Sequence, residues 1–450
     1  MSFTFEITVF KDLLQTYTTW DQLKTYLESE AGGLFRVVDT AEDGGLCLIR
    51  YDKGVSNMSL PHSKWFRSVV WDTRNNRPVC IAPCKTSNGP LPYRTLDAAT
   101  EAGVVCQENL EGFMVNCFLR KSDTALHITT RSKLDATGTF YSTKTFRQLF
   151  CEAYADTYDL EDASEERIQA SLEGLKDAED VAVCYSFLVQ HREHRIVQSD
   201  ISNHVYLIYK GLVHSDGSIT VEDTPATFAG KENVCAIPID KSLLSEKTGG
   251  STYAQVVARR LLQEEQGQGQ GQGQGQEPPG EVEEWAKKFI SSKSRDFLGL
   301  ICKDRAGNRW RFRSDKYSAI RSLRGNSPSV RDRFCQLYTS NLLHQYLEYY
   351  PEDSWEMSVF LMHMNAIIKM IYNLYVELHI RKTRRIDSID KMFHPHLYKI
   401  QGIYLTQLLP AKKTMNLHEV QLYLHKQPWQ RLSFLIRNTV GESAGTGEVA

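Results

Sequence analysis

Apolar and polar positions alternate over short runs in the first half of the chain. Leu46 to Tyr51, Ser68 to Trp71 and Gly112 to Leu119 each read as a strand. Turn clusters such as Asn75-Asn76-Arg77-Pro78 and Ser215-Asp216-Gly217-Ser218 separate these runs, and a further strand is expected from Pro78 to Ala82. Helical spacing is interposed near residues 10–29, 143–156 and 165–175. After about residue 328 the period changes. Leu337, Leu342, Tyr346 and Tyr349, then Phe360, Met364, Ile367, Ile371, Leu374 and Leu378, recur at the spacing of a helix face. They predict three or four long amphipathic helices to about residue 437. The expected class is α+β: an antiparallel-sheet domain over 1–328, an all-α domain over 329–438 and a flexible tail over 439–450. Tyr346, Tyr349, Tyr350, Trp355 and Phe360 are expected in a core rather than on a base-stacking surface.

One stretch breaks the pattern. Thr252 caps a predicted helix from Tyr253 to about Glu265, which runs into Gln266-Gly267, four further Gln-Gly pairs and Glu277-Pro278-Pro279-Gly280. Such a repeat offers nothing to bury, so a disordered insertion is expected over 264–284. Strand-like sequence resumes at Phe297 to Cys302.

Composition narrows the partners. The 53 basic and 55 acidic side chains leave a net charge of -2, which excludes a protein that coats nucleic acid by bulk charge. The ten cysteines form no CxxC pair and mostly sit in apolar runs, so reduced core thiols are expected, without a disulfide frame or a thiolate zinc site. His191-Arg192-Glu193-His194 lacks the i,i+4 histidine spacing of a helical metal site and reads as a polar turn. No apolar run approaches the roughly 20 residues that span a bilayer. The amino-terminal MSFTFEITVFKDLLQ has no basic flank before an apolar core. A cytoplasmic protein with no membrane partner and no metal site is expected.

Four polar segments fall at the ends of successive strands. Arg67 precedes Ser68-Val69-Val70-Trp71, and Lys85 to Asn88 follow the strand at 78–82. Asn109-Leu110-Glu111-Gly112 is a tight turn entering a strand, and Thr129-Thr130-Arg131-Ser132 leaves the next one. Cations and turn-borne donors at strand ends suit a polyphosphate ligand.

In this order the segments resemble the ATP-dependent RNA ligases of the bacteriophage tRNA-repair type, covalent nucleotidyltransferases. In that family an Arg-Gly-hydrophobic-Phe segment precedes a Lys-Phe-Phe-Asn loop; here Arg67 to Trp71 precedes Lys85-Thr86-Ser87-Asn88. The nucleophile motif, Lys-x-Asp/Glu-Gly, is similar to Asn109-Leu110-Glu111-Gly112, and Thr-Lys-Gly to Thr130-Arg131-Ser132. The segment ending in Asn-Arg-Ile-Val resembles Phe187-Leu188-Val189 with His194-Arg195-Ile196-Val197. Leu298-Gly299-Leu300-Ile301 stands for Glu-Gly-x-Val, and Arg311-Phe312-Arg313 with Tyr317 for Lys-x-Lys before a tyrosine. The resemblance covers about residues 30–437. It implies a nucleotidyltransferase-like fold and a nucleotide site at Arg67, Lys85, Asn109, Glu111, Arg131, Arg311 and Arg313.

The departures fall on the chemistry. That family attacks the ATP α-phosphate with a lysine amine, and Asn109 offers only an amide with a delocalised lone pair. The two acidic positions are Leu188 and Leu298, which supply no oxygen for ribose or for Mg²⁺. Loss of positioned charge in phosphoryl transfer costs orders of magnitude in rate. The implied function is a pseudo-ligase that binds RNA ends, tRNA-like, and a nucleotide, without a lysyl-AMP intermediate. Two alternatives stay open: an active ligase joining 3′-OH and 5′-phosphate ends with ATP and Mg²⁺, and an assembly protein that keeps the fold. Lys133-Leu134-Asp135-Ala136 is a second candidate for the nucleophile motif, and Asp296 a displaced candidate acid.

From 331 to 440 there are fourteen Lys/Arg against nine Asp/Glu, a local net of +5. Arg381, Lys382, Arg384 and Arg385, with Lys412 and Lys413 later, suit contact with an RNA backbone. A helix end whose dipole they complement explains them equally.

Overall fold

The computed structural model describes residues 3–88, 90–123, 125–172, 174, 180–223, 226–237, 239 and 280–440. The predicted helix at 253–265, nearly all of the 264–284 insertion and the tail from Gly441 lie outside them. The chain divides into two compact units, Met1–Ala319 and Ile320–Ala450, a few residues before the expected boundary at 328. It is mixed α and β, with antiparallel sheets in the first unit and helices in the second.

In chain order the first unit runs β1 (Phe3–Ile7), α1 (Val9–Thr16), α2 (Trp20–Glu28), β2 (Arg36–Thr40), β3 (Leu46–Arg50), β4 (Val69–Asp72), β5 (Arg77–Ile81), α3 (Leu96–Glu101), β6 (Val105–Glu108), β7 (Phe113–Arg120) and β8 (His127–Thr129). Then come α4 (Phe146–Tyr158), α5 (Glu165–Ser171), β9 (Asp180–Gln190), β10 (His204–His214), β11 (Ile219–Asp223), β12 (Thr227–Phe228), β13 (Lys231–Glu232) and β14 (Ala236–Ile237). After the undescribed segment follow α6 (Glu281–Ser291), β15 (Gly299–Lys303), β16 (Arg309–Arg313) and α7 (Asp315–Arg324), within which the division falls.

Period-two patterning builds the core. In β9, Val183, Tyr185, Phe187 and Val189 face one way and pack with Phe150 and Tyr154 of α4. Ala182, Cys184 and Leu188 face the other way, into a core shared with β3, β4 and β5. The first sheet has the order β1-β11-β10-β9-β7-β8 and the second β2-β3-β4-β5. α4 starts where Thr145 and Gln148 form a reciprocal capping box, and stops at Asp159 in the left-handed region.

A third sheet, β14-β6-β15-β16, packs Cys106, Leu300, Cys302 and Trp310 against Val282, Trp285 and Ala286 of α6. That helix begins at Glu281, so the insertion predicted to reach 284 ends earlier, where three glutamates meet the positive helix end. The expectation of ten reduced thiols also fails here. Cys106 and Cys302 are disulfide-bonded, their Cα atoms 4.1 Å apart. Register sets them directly opposite in β6 and β15, a pairing across 196 residues that sequence spacing cannot reveal.

The second unit holds α8 (Val330–Thr339), α9 (Leu343–Tyr349), α10 (Ser354–Tyr375), α11 (His394–Ile403), α12 (Leu417–His425) and α13 (Trp429–Val440). One helix is long and the rest are short, against the three or four long ones expected. Met364, Ile367, Ile371 and Leu374 of α10 are buried, as their spacing predicts, and Tyr346 and Tyr350 are buried and stacked with centroids 4.6 Å apart. Trp355 is 76% exposed, so its expected place in the core is corrected. The run Pro351–Ile380 is also long and apolar enough, by length and composition, to cross a membrane, with 33% of its apolar window buried. Ser358, His363, Asn365 and Lys369 interrupt the run along the sequence, which hid that property.

Candidate functional site

Antiparallel pairing brings the ends of several strands together. β3 ends in Arg50, and Ile49 pairs with Val69 at the start of β4, which in turn pairs with Ile81 at the end of β5. Arg50 and Tyr51, Arg67 and Lys85 therefore emerge at one end of this sheet. Arg131, just past β8, reaches the same place. The Tyr51 ring, 9% exposed, has the Lys85 Nζ 5.4 Å from its centroid and the Arg131 guanidinium at 4.7 Å. Thus three of the sequence-identified cations, Arg67, Lys85 and Arg131, belong to one cluster, with Arg50 and Tyr51 added to it.

The cluster is electrostatically strained. Burial pushes the Arg67 pKa down, and Arg309 and Arg131 push it further. Burial lowers that of Arg50 too, with Arg131 and Arg36 adding to it. Among the described residues none of Arg50, Arg67, Lys85, Arg131 and Arg309 forms a salt bridge. Asp52, the next acid along the chain, is held by Arg36 at 3.4 Å.

The Lys85–Asn88 loop is pinned to β16. Ser87 donates its N–H to the Arg309 carbonyl at 2.8 Å and accepts from the Arg311 N–H at 3.1 Å, and the Arg311 Nε donates to Asn88 Oδ1 at 2.5 Å. Arg309, Arg311 and Arg313 share one face of β16, while Trp310 and Phe312 pack toward α6 on the other. Arg313 is exposed.

The segments that hold Asn109, Leu188 and Leu298 meet their neighbours through backbone contacts. Asn109 donates its backbone N–H to the Gly299 carbonyl at 2.9 Å, one residue past Leu298. Gly112, at φ +154°, lies against β9, where a Cβ would run into the Val189 carbonyl and come within 3.2 Å of Leu188 Cγ. Glu111 plays a different part from the ligand role inferred for it. Its buried carboxylate accepts the N–H groups of Ile196, Val197 and Gln198 at 2.9–3.1 Å and the Tyr317 hydroxyl at 2.7 Å. Those donors already occupy its oxygens, so it latches the 196–198 turn and α7 to the head of β7. Nothing in the sequence near Glu111 signals partners that lie 85 to 206 residues away.

The opposite end of the same two sheets holds a cleft of about 580 Å³ lined by Asp39, Asp43, Asp72, Arg74, Arg120, Asp123 and His127. Here the carboxylates are met. Asp43 accepts from Gly45 N at 2.9 Å and Arg74 Nη2 at 2.8 Å, and Asp72 from the N–H groups of Arg74 and Asn75 at 3.0 Å. Asp123 engages Arg120 and, at 3.1 Å, the His127 ring, which stacks on Phe118. Lys133 and Asp135, from the second candidate nucleophile motif, line this cleft, with Lys133 3.8 Å from Asp39.

Among the described residues no group of three or more His, Cys, Asp or Glu side chains could hold a metal ion. His191 bonds Glu152 at 3.0 Å, and His194 is buried against Phe113, Tyr141 and Phe146, so this turn is packed rather than solvated. The cationic donors at this end of the sheet suit phosphate oxygens.

In the second unit Arg381, Lys382, Arg384 and Arg385 are exposed just past Val376–Ile380, a π-turn that closes α10, and Arg384 meets Glu377 at 3.2 Å. Lys412 and Lys413 are exposed past a second π-turn, Tyr404–Leu408, that closes α11. Lys382 and Lys412 both take φ 57°, the left-handed conformation that ends a helix. Comparison with known proteins gives no relative: no family profile matches the chain, and no curated protein matches it.

Proposed function

We propose that this chain is a catalytically degenerate RNA ligase-like protein with a nucleotidyltransferase-like first domain. In this reading the cationic end takes the phosphate of an RNA end or of a nucleotide, and no lysyl-AMP forms. The observation that carries the reading is the convergence of Lys85 and Arg131 on the Tyr51 ring, with Arg67 at the same end of the sheet and no carboxylate paired to any of the three among the described residues. Cations without acids favour a bound phosphate over a bound metal. Asn109 lacks a nucleophilic amine, and the fold's own donors fill Glu111. The Tyr51 ring carries cation contacts from both Lys85 and Arg131, so it serves better as a platform that positions the cations than as a base-stacking surface. The exposed basic residues at 381–385 and 412–413 would add contacts to the backbone of a structured, tRNA-like RNA. Such a protein works in the cytoplasm with RNA as its partner.

The test is equilibrium binding of a 5′-phosphorylated RNA hairpin and of its 5′-hydroxyl counterpart over a range of salt. The reading expects preference for the phosphorylated form and a log–log salt slope that falls by about 0.7 for each phosphate contact removed from a single strand. Equal affinity for the two RNAs, with no salt dependence, would sink it.

A further inference from the structure

Beneath the Tyr51 cluster lies a second group of charges, buried more deeply. Lys303 and Arg309 are cross-strand partners in the β15–β16 hairpin, an arrangement that sets like charges side by side. Lys303 is 0% exposed, and its Nζ donates to Asp223 Oδ1 at 2.5 Å. Arg309 is 6% exposed and lies over the Tyr209 ring at 5.5 Å. Its Nε and Nη1 have no hydrogen-bond partner among the described residues. The Tyr209 hydroxyl lies close enough to interact with the Arg309 guanidinium, and its own O–H meets no acceptor among the described residues. From the other sheet Arg67 comes close enough for its charge to repel that of Arg309.

Lys303, Arg309 and the half-buried Arg67 thus bring three positive charges to the one negative charge of Asp223, whose Oδ1 takes the Lys303 ammonium and whose charge also supports Arg309, so positive charge remains in excess. A buried guanidinium with unmet donors and like charges beside it is unfavourable unless a counter-ion completes it. The unmet groups are two guanidinium N–H directions and a phenol hydroxyl, with the Arg67 charge within electrostatic reach of Arg309. That set matches the several acceptor oxygens of a tetrahedral oxyanion, which binds arginine forks in pairs of parallel bonds.

We infer that a phosphate-sized tetrahedral oxyanion binds between Arg67 and Arg309, with the Tyr209 hydroxyl as a third donor, and forms part of the folded state. This goes beyond the function proposed above. Arg309 lies off the Arg311 and Arg313 positions that the motif resemblance marks, and its buried charge calls for a counter-ion whether or not RNA binds the outer cluster. The oxyanion comes either as free orthophosphate or as the terminal phosphate of a larger molecule.

Thermal unfolding of the full chain tests this, with sodium orthophosphate titrated against sodium chloride at matched ionic strength. The expected result is a saturable rise in Tm with phosphate and none with chloride. Arg309→Gln should raise the half-saturating phosphate concentration about tenfold or more, since it removes charge-assisted bonds. If that variant fails to fold, Arg67→Gln, at a half-buried position, carries the same expectation. No rise beyond that with chloride, or an undiminished rise in whichever of the two variants folds, would overturn the inference. AMP and a 5′-phosphorylated RNA hairpin, added in place of orthophosphate, separate the two sources. Half-saturation at lower concentration than orthophosphate, lost with Arg309, assigns the oxyanion to a larger ligand; a response to orthophosphate alone assigns the free ion. Lys85→Ala and Arg131→Gln should leave the orthophosphate effect intact while weakening RNA binding. Failure of the RNA reading and failure of this one thus give different results.

Discussion

The two ends of the sheet pair in the first unit carry charge in opposite ways. At one end Asp39, Asp43, Asp72 and Asp123 line a cleft, and each accepts hydrogen bonds from the fold itself, at Leu134 N, Arg74 and Gly45, the 74–75 turn, and Arg120 with His127. At the other end Arg50, Arg67, Lys85, Arg131 and Arg309 stand around Tyr51 and Tyr209 with no acid paired to any of them. The acidic end lines a cleft of about 580 Å³, yet its four aspartates are satisfied by the fold. The cationic end has the charges that no described acid meets. A cluster of charge reports a ligand only when its own fold leaves it incomplete.

This contrast sets expected outcomes at each end. The largest is in binding: Arg67→Gln with Arg131→Gln should weaken a 5′-phosphorylated RNA by about a hundredfold, since each lost charge-assisted contact is worth roughly 1.5–3 kcal/mol. Asp43→Asn in the acidic cleft should leave that affinity within about twofold, and a comparable loss there would erase the distinction between the ends. Neutralising Arg381, Lys382, Arg384 and Arg385 together should cost about tenfold and flatten the salt dependence. An unchanged slope would leave these residues as helix-end charges only.

Stability should show the reverse ranking. Arg120→Ala leaves Asp123 without its closest partner, so a loss of about 1–2 kcal/mol in urea unfolding is expected. Arg131→Gln breaks no ion pair and should stay within about 0.5 kcal/mol. The smallest effect is with pH. Burial lowers the His127 pKa from its ordinary 6.5, with Asp123 opposing. A base lowered on folding resists protonation more in the folded state than in the unfolded chain. Its contribution is therefore full above pH 6.5 and is lost as pH falls below that value. The urea midpoint should fall less between pH 7.5 and 5.5 in His127→Asn than in the parent chain; an equal fall would remove His127 from the acidic end's account.

Much of the cationic end is legible along the chain because its members follow strands that alternate cleanly. Arg67 precedes one and Lys85 follows its neighbour, so pairing in one sheet brings these two to the same end, while Arg131 follows a strand of the other sheet and arrives there only through the packing of the two sheets. Arg309 was legible too, as the first of three arginines at period two in Arg-Trp-Arg-Phe-Arg, but motif spacing directs attention to the last two. Arg50 and Tyr51 look like an ordinary strand end, and only tertiary packing places cations around that ring. Glu111 misleads for a different reason. Its donors come from residues 196–198 and 317, and no local pattern reveals a carboxylate that a distant turn will cover. Trp355 marks another limit, since helical spacing groups residues on one face without saying whether anything packs over that face.

Intact-mass spectrometry of the full chain after incubation with ATP, in the presence and absence of Mg²⁺ and Mn²⁺, addresses the central claim of phosphate binding without covalent chemistry. The expected spectrum is that of the unmodified chain under every condition. Asn109→Lys should also stay unmodified, because Leu188 and Leu298 still supply no oxygen. An AMP adduct on any lysine of the natural chain, or ready adenylylation of that single variant, would contradict the account.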